Sequence, residues 1–239
     1  MIGIKSDVGN LRNLNEDYAE FYENEEFKIC VVADGMGGHN AGEVASKTAS
    51  KSLIKYIKDN FKDENSRDIL EKAIKHANSK VYNLAHCNET YNGMGTTVVA
   101  CLITKNIIQV ANIGDSSCFG IKSKEITKIT KDHSLVQELL DCGSISKEQA
   151  INHPQKNVIT RAIGTEEVVN IDLFEIEKNK FDYFLMCSDG LTNEIGLEEI
   201  LSFELEEKEL QDICEKLVNL AKFKGGRDNI TVMLFGGEV

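Results

Sequence analysis

The sequence predicts an α+β fold of four layers, an α-β-β-α sandwich in which two mainly antiparallel β-sheets pack face to face under outer helices. Three observations predict it. Short apolar runs with strand character occupy residues 2–33 and 96–129. Helical spacing of apolar residues occupies 41–85 and 196–223. The two patterns come in blocks, not in the regular strand–helix alternation that a parallel sheet requires.

Residues 2–9 and about 17–22 read as short strands, and 27–33 as an apolar strand ending at Asp34-Gly35. Over 41–57 the apolar positions 41, 44/45, 48/49, 53 and 56/57 recur at helical spacing. Ser66 is placed to cap a second helix with apolar positions 69/70, 73/74, 77, 81 and 84/85. The period then changes, and 96–104, 107–113, 117–121 and 125–129 read as a meander of consecutive antiparallel strands joined by tight turns. Residues 132–165 are polar and mixed and hold the only proline, Pro154. They predict an irregular insertion with a short helix or two, lying near a functional site. Residues 168–176 and 183–187 return to strand and 196–202 and 206–223 to helix, and 230–235 is a last strand. No linker, repeat or low-complexity segment interrupts the chain, so 1–239 is read as a single domain.

A chain of 239 residues can bury a sizeable core, and 41% hydrophobic with 28% charged residues is the balance of a soluble globular protein. The net charge of −12 argues against nucleic acid and anionic membranes as partners, since both demand a basic face. The acidic stretches 23–26 and 204–209 read as solvated surface. The seven cysteines are odd in number and lack a CxxC pair, and Cys30, Cys101 and Cys187 sit inside apolar runs. They read as reduced, buried thiols of a cytoplasmic protein rather than disulfides or zinc ligands. The start, MIGIKSDVGN, has no apolar leader core, and no apolar stretch of about 18 residues occurs, so neither secretion nor membrane spanning is expected.

Five aspartates recur beside strand-like runs: Asp17 in RNLNED, Asp34 in VVADGMGGH, Asp115 in ANIGDSS, Asp189 in LMCSDGL and Asp228 in GGRDNITV. Any single Asp-Gly pair is an ordinary turn. Together they mean more, because carboxylates at strand ends can converge, and such a cluster repels itself unless a hard divalent cation neutralises it. Gly35, beside Asp34, also lets the backbone carbonyl approach a cation. The residues therefore predict a metal-dependent hydrolase. Rival chemistries lack their signatures: no cysteine is followed by five residues and an arginine, and no nucleotide-binding glycine fingerprint or G-x-S-x-G elbow occurs.

Eight motifs follow one another in the order RNLNED (12–17), DGMGGHNAGEVAS (34–46), GTT (95–97), GDS (114–116), DHS (132–134), NVITRAIG (157–164), SDGL (188–191) and GGRDNITV (225–232). Together they resemble the type 2C metal-dependent serine/threonine protein phosphatases, in particular their short bacterial form. The resemblance implies a β-sandwich flanked by helices with a binuclear Mn²⁺ or Mg²⁺ site at one end. It places Asp17 at a ligand of the second metal, Asp34 at the carboxylate bridging both, and Gly35 at the residue offering its carbonyl. Asp189 and Asp228 fall on ligands of the other half of the centre, and Asp115 falls on the residue that holds, with Asp189, a third and weaker metal. Arg12 falls on the arginine that grips the substrate phosphate, and the insertion at 132–165 matches the family's flap. General chemistry agrees: two hard cations about 3.5–4 Å apart lower the pKa of a bridging water and clamp an in-line displacement at phosphorus, with no phosphoenzyme. Arg12 offers a planar fork for two phosphate oxygens, a surface ion pair being its plainer role.

Two positions depart from the pattern. Ser117 stands where GDS is usually followed by arginine, so the support of that loop is expected to differ. Met36 stands where more distant members place a histidine proposed as general acid. His39, three residues on, is the candidate substitute, with a simple turn histidine as the alternative. His133 reads as structural, and His76 and His86 as surface or core residues of the second helix. The predicted activity is hydrolysis of phosphoserine and phosphothreonine on phosphorylated proteins in the cytoplasm. By resemblance it opposes a bacterial serine/threonine kinase and acts on that kinase and its substrates, with a monomer as the default state. Two rivals are weaker. A phosphatase dedicated to one regulatory partner, such as an anti-sigma antagonist, usually carries a sensory domain for which this chain leaves no room. A catalytically dead scaffold has no need of a self-repelling acidic cluster.

Overall fold

The computed structural model describes residues 1–38, 41–151, 153–203 and 209–238. In chain order the elements are β1 (Ile2–Asp7), β2 (Asp17–Glu23), β3 (Phe27–Met36), α1 (Ala41–Asn60), α2 (Ile69–Cys87), β4 (Gly95–Thr96), β5 (Val98–Thr104), β6 (Ile108–Ile113), β7 (Ser117–Lys122) and β8 (Glu125–Lys128). They continue with α3 (Leu135–Asp141), α4 (Lys147–Ile151), β9 (Asp172–Ile176), β10 (Tyr183–Cys187), α5 (Asp189–Thr192), α6 (Leu197–Leu201), α7 (Leu210–Lys224) and β11 (Ile230–Gly236). One sheet has the order β1-β11-β10-β7-β8, the other β2-β3-β5-β6-β9 with β4 beside β3. The pairings are antiparallel.

The two-residue period of a strand builds the layers. In β3, Ile29, Val31 and Ala33 face α1 and α2, where Leu53, Ile57, Leu70 and Ile74 meet them, while Cys30 and Val32 face the opposite sheet. In β10 and β11, Leu185, Val232 and Leu234 pack under α7 against Ile213 and Leu217. Their alternates Phe184, Met186, Met233 and Phe235 enter the layer between the sheets, where the Phe184 and Phe235 rings stack at 5.7 Å. Central strands buried on both faces read as unbroken apolar runs, which is why they were legible as strands but not as partners. Among the described residues no helix is long and apolar enough to cross a membrane.

Several boundaries differ from the sequence reading. Strand β3 does not stop at Asp34-Gly35 but runs to Met36, because Gly35 and Met36 pair with Thr96 and Gly95. Ser66 does not cap α2: it closes a short turn over 63–65, and the helix starts three residues later, after Asp68. The expected meander is two hairpins in different sheets. β5 pairs with β6 in one and β7 with β8 in the other, so the turn at 114–116 crosses between layers. Residues 168–171 lie outside β9, and a short helix, α5, begins at Asp189 where only a turn was read. Residues 204–208 lie outside the described residues, and with them most of the acidic stretch 204–209 and the first turn expected of the last helix. α7 is seen from Leu210.

The insertion is tied down at its far end by Asn78 of α2. Its amide donates to the carbonyls of Glu166 and Glu167, both at 3.0 Å, and its oxygen accepts the Gly164 N–H at 2.8 Å. Asn78 is buried, so its removal strands three backbone groups. Asn78→Ala is expected to lower stability by about 2–3 kcal/mol, the scale of unsatisfied buried polar groups. Urea unfolding checks this, and a loss below about 0.5 kcal/mol would mean that water replaces the amide fully.

Candidate metal centre

Strand register brings the five aspartates to one end of the sandwich. Asp17 opens β2 and stands directly opposite Asp34 of β3. Asp189 follows β10 through Ser188, and Asp228 precedes β11, whose Val232 pairs with Cys187 at the same end. Asp115 sits on the crossing turn between β6, whose Ile113 pairs with Val98, and β7, whose Ser117 pairs with Cys187.

Neutral side chains fix the loops that carry them. Asn229 donates to the carbonyls of Val8 (3.0 Å) and Leu14 (2.9 Å) and accepts the Glu16 N–H (2.8 Å), which locks the Asp17 loop to the Asp228 loop. Ser188 donates to Asp17 Oδ2 at 2.7 Å and accepts the Thr231 N–H at 3.0 Å. Asn15 accepts the Asp17 N–H at 3.2 Å and donates to Ser6 Oγ at 2.8 Å. Thr97 Oγ1 accepts the Asp34 N–H at 2.9 Å and shares a hydrogen bond with Ser116 Oγ at 2.7 Å, so Asp34 and the Asp115 turn are positioned together. Close packing requires glycine beside two of the aspartates. A Cβ on Gly35 would lie 2.0 Å from the Gly42 carbonyl oxygen, and one on Gly190 would lie 2.0 Å from that of Asn229.

The electrostatic consequence is severe. Burial, together with Asp17, Asp189, Asp115 and Asp228, pushes Asp34 well above the usual carboxylate range. Asp17 is pushed up to about 7 by burial, helped by Asp189 and Asp228 and opposed by the hydroxyls of Ser188 and Thr231. Burial, then Asp189 and Asp132, raises Asp115 to about 7; burial, then Asp228, raises Asp189 to about 6 against the Asn193 amide. Two carboxylate oxygens of the cluster, Asp17 Oδ1 and Asp189 Oδ1, are buried without a hydrogen-bond partner. Orphaned buried acceptors of this kind call for a missing partner. The donor set is all oxygen, which suits a hard divalent cation such as Mg²⁺ or Mn²⁺. Among the described residues no three His, Cys, Asp or Glu side chains by themselves form a ligand group for one ion. A site here must therefore draw on backbone carbonyls and water as well, as Mg²⁺-type sites ordinarily do. On these grounds the residues fit the ions.

The other predicted positions fall as follows. Arg12 lies beside the cluster with NH2 on Asp228 Oδ2 at 2.8 Å, its side chain half exposed. His39 lies outside the described residues. Ser117 is buried at the start of β7, and the turn before it is braced by Ser116, Asn112 and His133. His133 Nδ1 accepts the Gly114 N–H at 3.1 Å, which leaves Nε2 as the donor to Asp172 Oδ2 at 3.1 Å. His133 thus shapes the Asp115 turn. His76 packs on Tyr56 and His86 on Tyr82, away from the aspartates along α2. Sequence reasoning missed Glu16, Ser188, Thr97 and Asn229. Each is a direct neighbour of a motif aspartate or part of the GTT motif, so adjacency was the available signal.

The fold and this acidic end define a class, and comparison agrees with it. The family model described as Protein phosphatase 2C matches residues 12–230, and the chain belongs to this family of serine/threonine protein phosphatases, which are enzymes. It is 40% identical over 237 residues to the serine/threonine phosphatase stp of Listeria monocytogenes, covering 96% of this chain and 93% of that one. The crystal structure of the serine/threonine phosphatase Stp1 from Staphylococcus aureus superposes with a TM-score of 0.92 at 37% identity, covering 100% of this chain and 95% of that one. A crystal structure of the catalytic domain of the phosphatase PstP in complex with two manganese ions gives a TM-score of 0.82 at 33% identity, covering 98% and 96%.

The raised carboxylates make a prediction about the metal-free protein. Each has a folded-state pKa above its ordinary value of 3.8, so between the two the folded chain binds more protons than the unfolded one. Stability in chelator is therefore expected to be lowest above pH of about 7 and to rise as pH falls through about 7 and 6. Asp189→Asn removes one charge from the cluster, so its metal-free Tm is expected to be no lower than wild type, with a flatter pH dependence. Thermal unfolding checks both, and a large drop for this variant would make Asp189 a structural residue.

Proposed function

We propose that the chain is a metal-dependent phosphatase of phosphoserine and phosphothreonine in proteins, its acidic end holding two Mn²⁺ or Mg²⁺ ions and a third more weakly. The observation that carries this reading is the set of five convergent aspartates, with buried, unpartnered carboxylate oxygens among them. Asp17, Asp34, Asp189 and Asp228, with the Gly35 carbonyl, would hold the two ions, and Asp115 with Asp189 would hold the third. When bound, the ions supply Lewis acidity, an acidified water and neutralisation of phosphate charge.

The chain's own residues do the rest. Arg12 offers its guanidinium to phosphate oxygens at the edge of the cluster. Ser188 and Asn193 orient Asp17 and Asp189, leaving one oxygen of each free. Cys187, two residues from Asp189, is not suited to form a phosphoenzyme: burial pushes its thiol far up, as it does those of Cys30, Cys101 and Cys118. The names of the relatives support serine and threonine as the phosphorylated residues, and the manganese-bound PstP domain supports the ion. On the same reading the protein is a cytoplasmic monomer in signal transduction, opposing a serine/threonine kinase.

Hydrolysis of a phosphothreonine peptide tests this. Activity is expected only with added Mn²⁺ or Mg²⁺, and full activity after dialysis into excess chelator would falsify the metal-dependent reading. Arg12→Ala is expected to raise KM for the peptide about tenfold, the scale of a hydrogen bond to a charged group, with a smaller effect on kcat. An unchanged KM combined with altered metal affinity would reduce Arg12 to a counter-charge of Asp228.

Asp115→Ala is expected to lower kcat at saturating Mn²⁺ while leaving Tm unshifted. The reverse pattern, with a stability loss of about 1 kcal/mol, would assign Asp115 to the turn alone.

A further inference from the structure

Beside Asp228 the surface folds into a cleft of about 280 Å³ whose lining includes three cations, Arg12, Lys156 and Arg227. Two are accounted for. Arg12, paired with Asp228 at 2.8 Å, is the residue assigned to the phosphate. Arg227 forks onto Glu194 through Nε–Oε1 at 2.8 Å and NH2–Oε2 at 3.2 Å, and the Glu194 side chain is only 3% exposed. The third, Lys156, places its ammonium 3.3 Å from the neutral side-chain oxygen of Asn193. Its charge reaches the carboxylates of Asp189 and Glu194 without an ion pair to either, so the ammonium at the cleft is free to take a further acidic group.

Its placement is specific. Lys156 belongs to the insertion, while Asn193 closes the helix that begins at Asp189, so the cation is held over the edge of the acidic centre. Two exposed apolar side chains stand next in sequence to lining residues. Leu11 and Val158, the chain neighbours of the lining residues Arg12 and Asn157, are 70% and 43% exposed.

We infer that this cleft receives the substrate polypeptide next to its phosphorylated residue, and that Lys156 selects there for an acidic side chain. The inference rests on the phosphatase reading and deepens it: the preferred substrates are phosphoproteins whose phosphorylated residue has an acidic neighbour. A rival role is on the page. The Lys156 charge also reaches Asp189, so the lysine could act as a counter-charge for the centre itself.

Steady-state kinetics at saturating Mn²⁺ separates the two. The substrates are three phosphothreonine peptides identical except for a flanking Glu, Gln or Lys, and p-nitrophenyl phosphate, which has no flank. The proteins are the full chain and its Lys156→Gln, Lys156→Glu and Lys156→Arg variants. Wild type is expected to favour the Glu peptide over the Gln peptide about threefold to fivefold in kcat/KM, through KM, as a partly exposed ion pair gives. That preference is expected to vanish in Lys156→Gln, to turn toward the Lys peptide in Lys156→Glu, to persist in Lys156→Arg and to fade with salt. The rate on p-nitrophenyl phosphate and the Mn²⁺ concentration for half-maximal activity should not move. Equal rates on all three peptides in wild type overturn the inference and leave the phosphatase reading standing. So does a Lys156→Gln effect common to every substrate or seen in the Mn²⁺ dependence, which assigns the lysine to Asp189. If wild type hydrolyses no substrate at all, the phosphatase reading fails and the inference fails with it.

Discussion

Mutual repulsion among carboxylates at one end of the sandwich is the constraint around which the rest of the molecule is arranged. Left to itself, a loop-borne aspartate would swing away from four like neighbours. Here the aspartates sit on or next to strands whose registers are fixed by cores on both faces: Asp17 opposite Asp34 in one sheet, and the Asp189 and Asp228 loops joined across β10 and β11 in the other. A one-residue slip in either sheet would exchange its core and outward faces, so hydrophobic packing far from the site holds the charges in place. The raised pKa values of Asp17, Asp34, Asp115 and Asp189 express burial first and, after it, a mutual repulsion that the core opposes.

The choice of supporting residues follows from that constraint. Ser188, Asn15, Thr97, Asn193 and Asn229 hold the aspartates or their backbones by neutral hydrogen bonds. A lysine or arginine in each of those places would relieve the repulsion but would also occupy the oxygens that a divalent cation needs. Neutral donors fix orientation at modest electrostatic gain and leave Asp17 Oδ1 and Asp189 Oδ1 free. Arginine and lysine enter at the margin, as at Arg12, Lys156 and Arg227.

The layers of the fold were legible in the sequence because strand and helix periods are local. The apolar runs at 27–33 and 230–235 and the helical spacing at 41–57 needed no knowledge of partners. Pairing was not legible. The run 96–129 looked like one meander, yet its middle turn passes from one sheet to the other, and nothing in four apolar strands of similar length says where a sheet ends. The aspartates were legible because each carries a motif. Asn229, Ser188 and Thr97 were not, since their role exists only once distant loops meet. Ser66 misled for a related reason: a serine before an apolar period is a good capping signal, but here a short turn at 63–65 takes it first.

The crossing turn shows how the fold couples its two halves. Gly114 adopts φ of +104°, and a Cβ there would meet Thr97 at 2.5 Å, so the chain can leave one sheet for the other only with glycine at this point. The same turn is held from below by Thr97 through Ser116, and from the side by His133, whose other ring nitrogen faces Asp172 at the start of β9. Arg161 of the insertion also donates to Asp172 at 2.8 Å. Asp115 therefore sits where both sheets and the insertion meet, and the insertion also reaches Asp34 through the Thr96–Ile163 bridge and Asp189 through the Lys156–Asn193 contact. A shift of the insertion would be transmitted to Asp115 through His133 and Asp172, and to Asp34 through Thr97, which ties it to the Asp115 turn. Within this architecture the insertion shares supports with three of the five carboxylates, Asp34, Asp115 and Asp189, so its position and theirs are coupled.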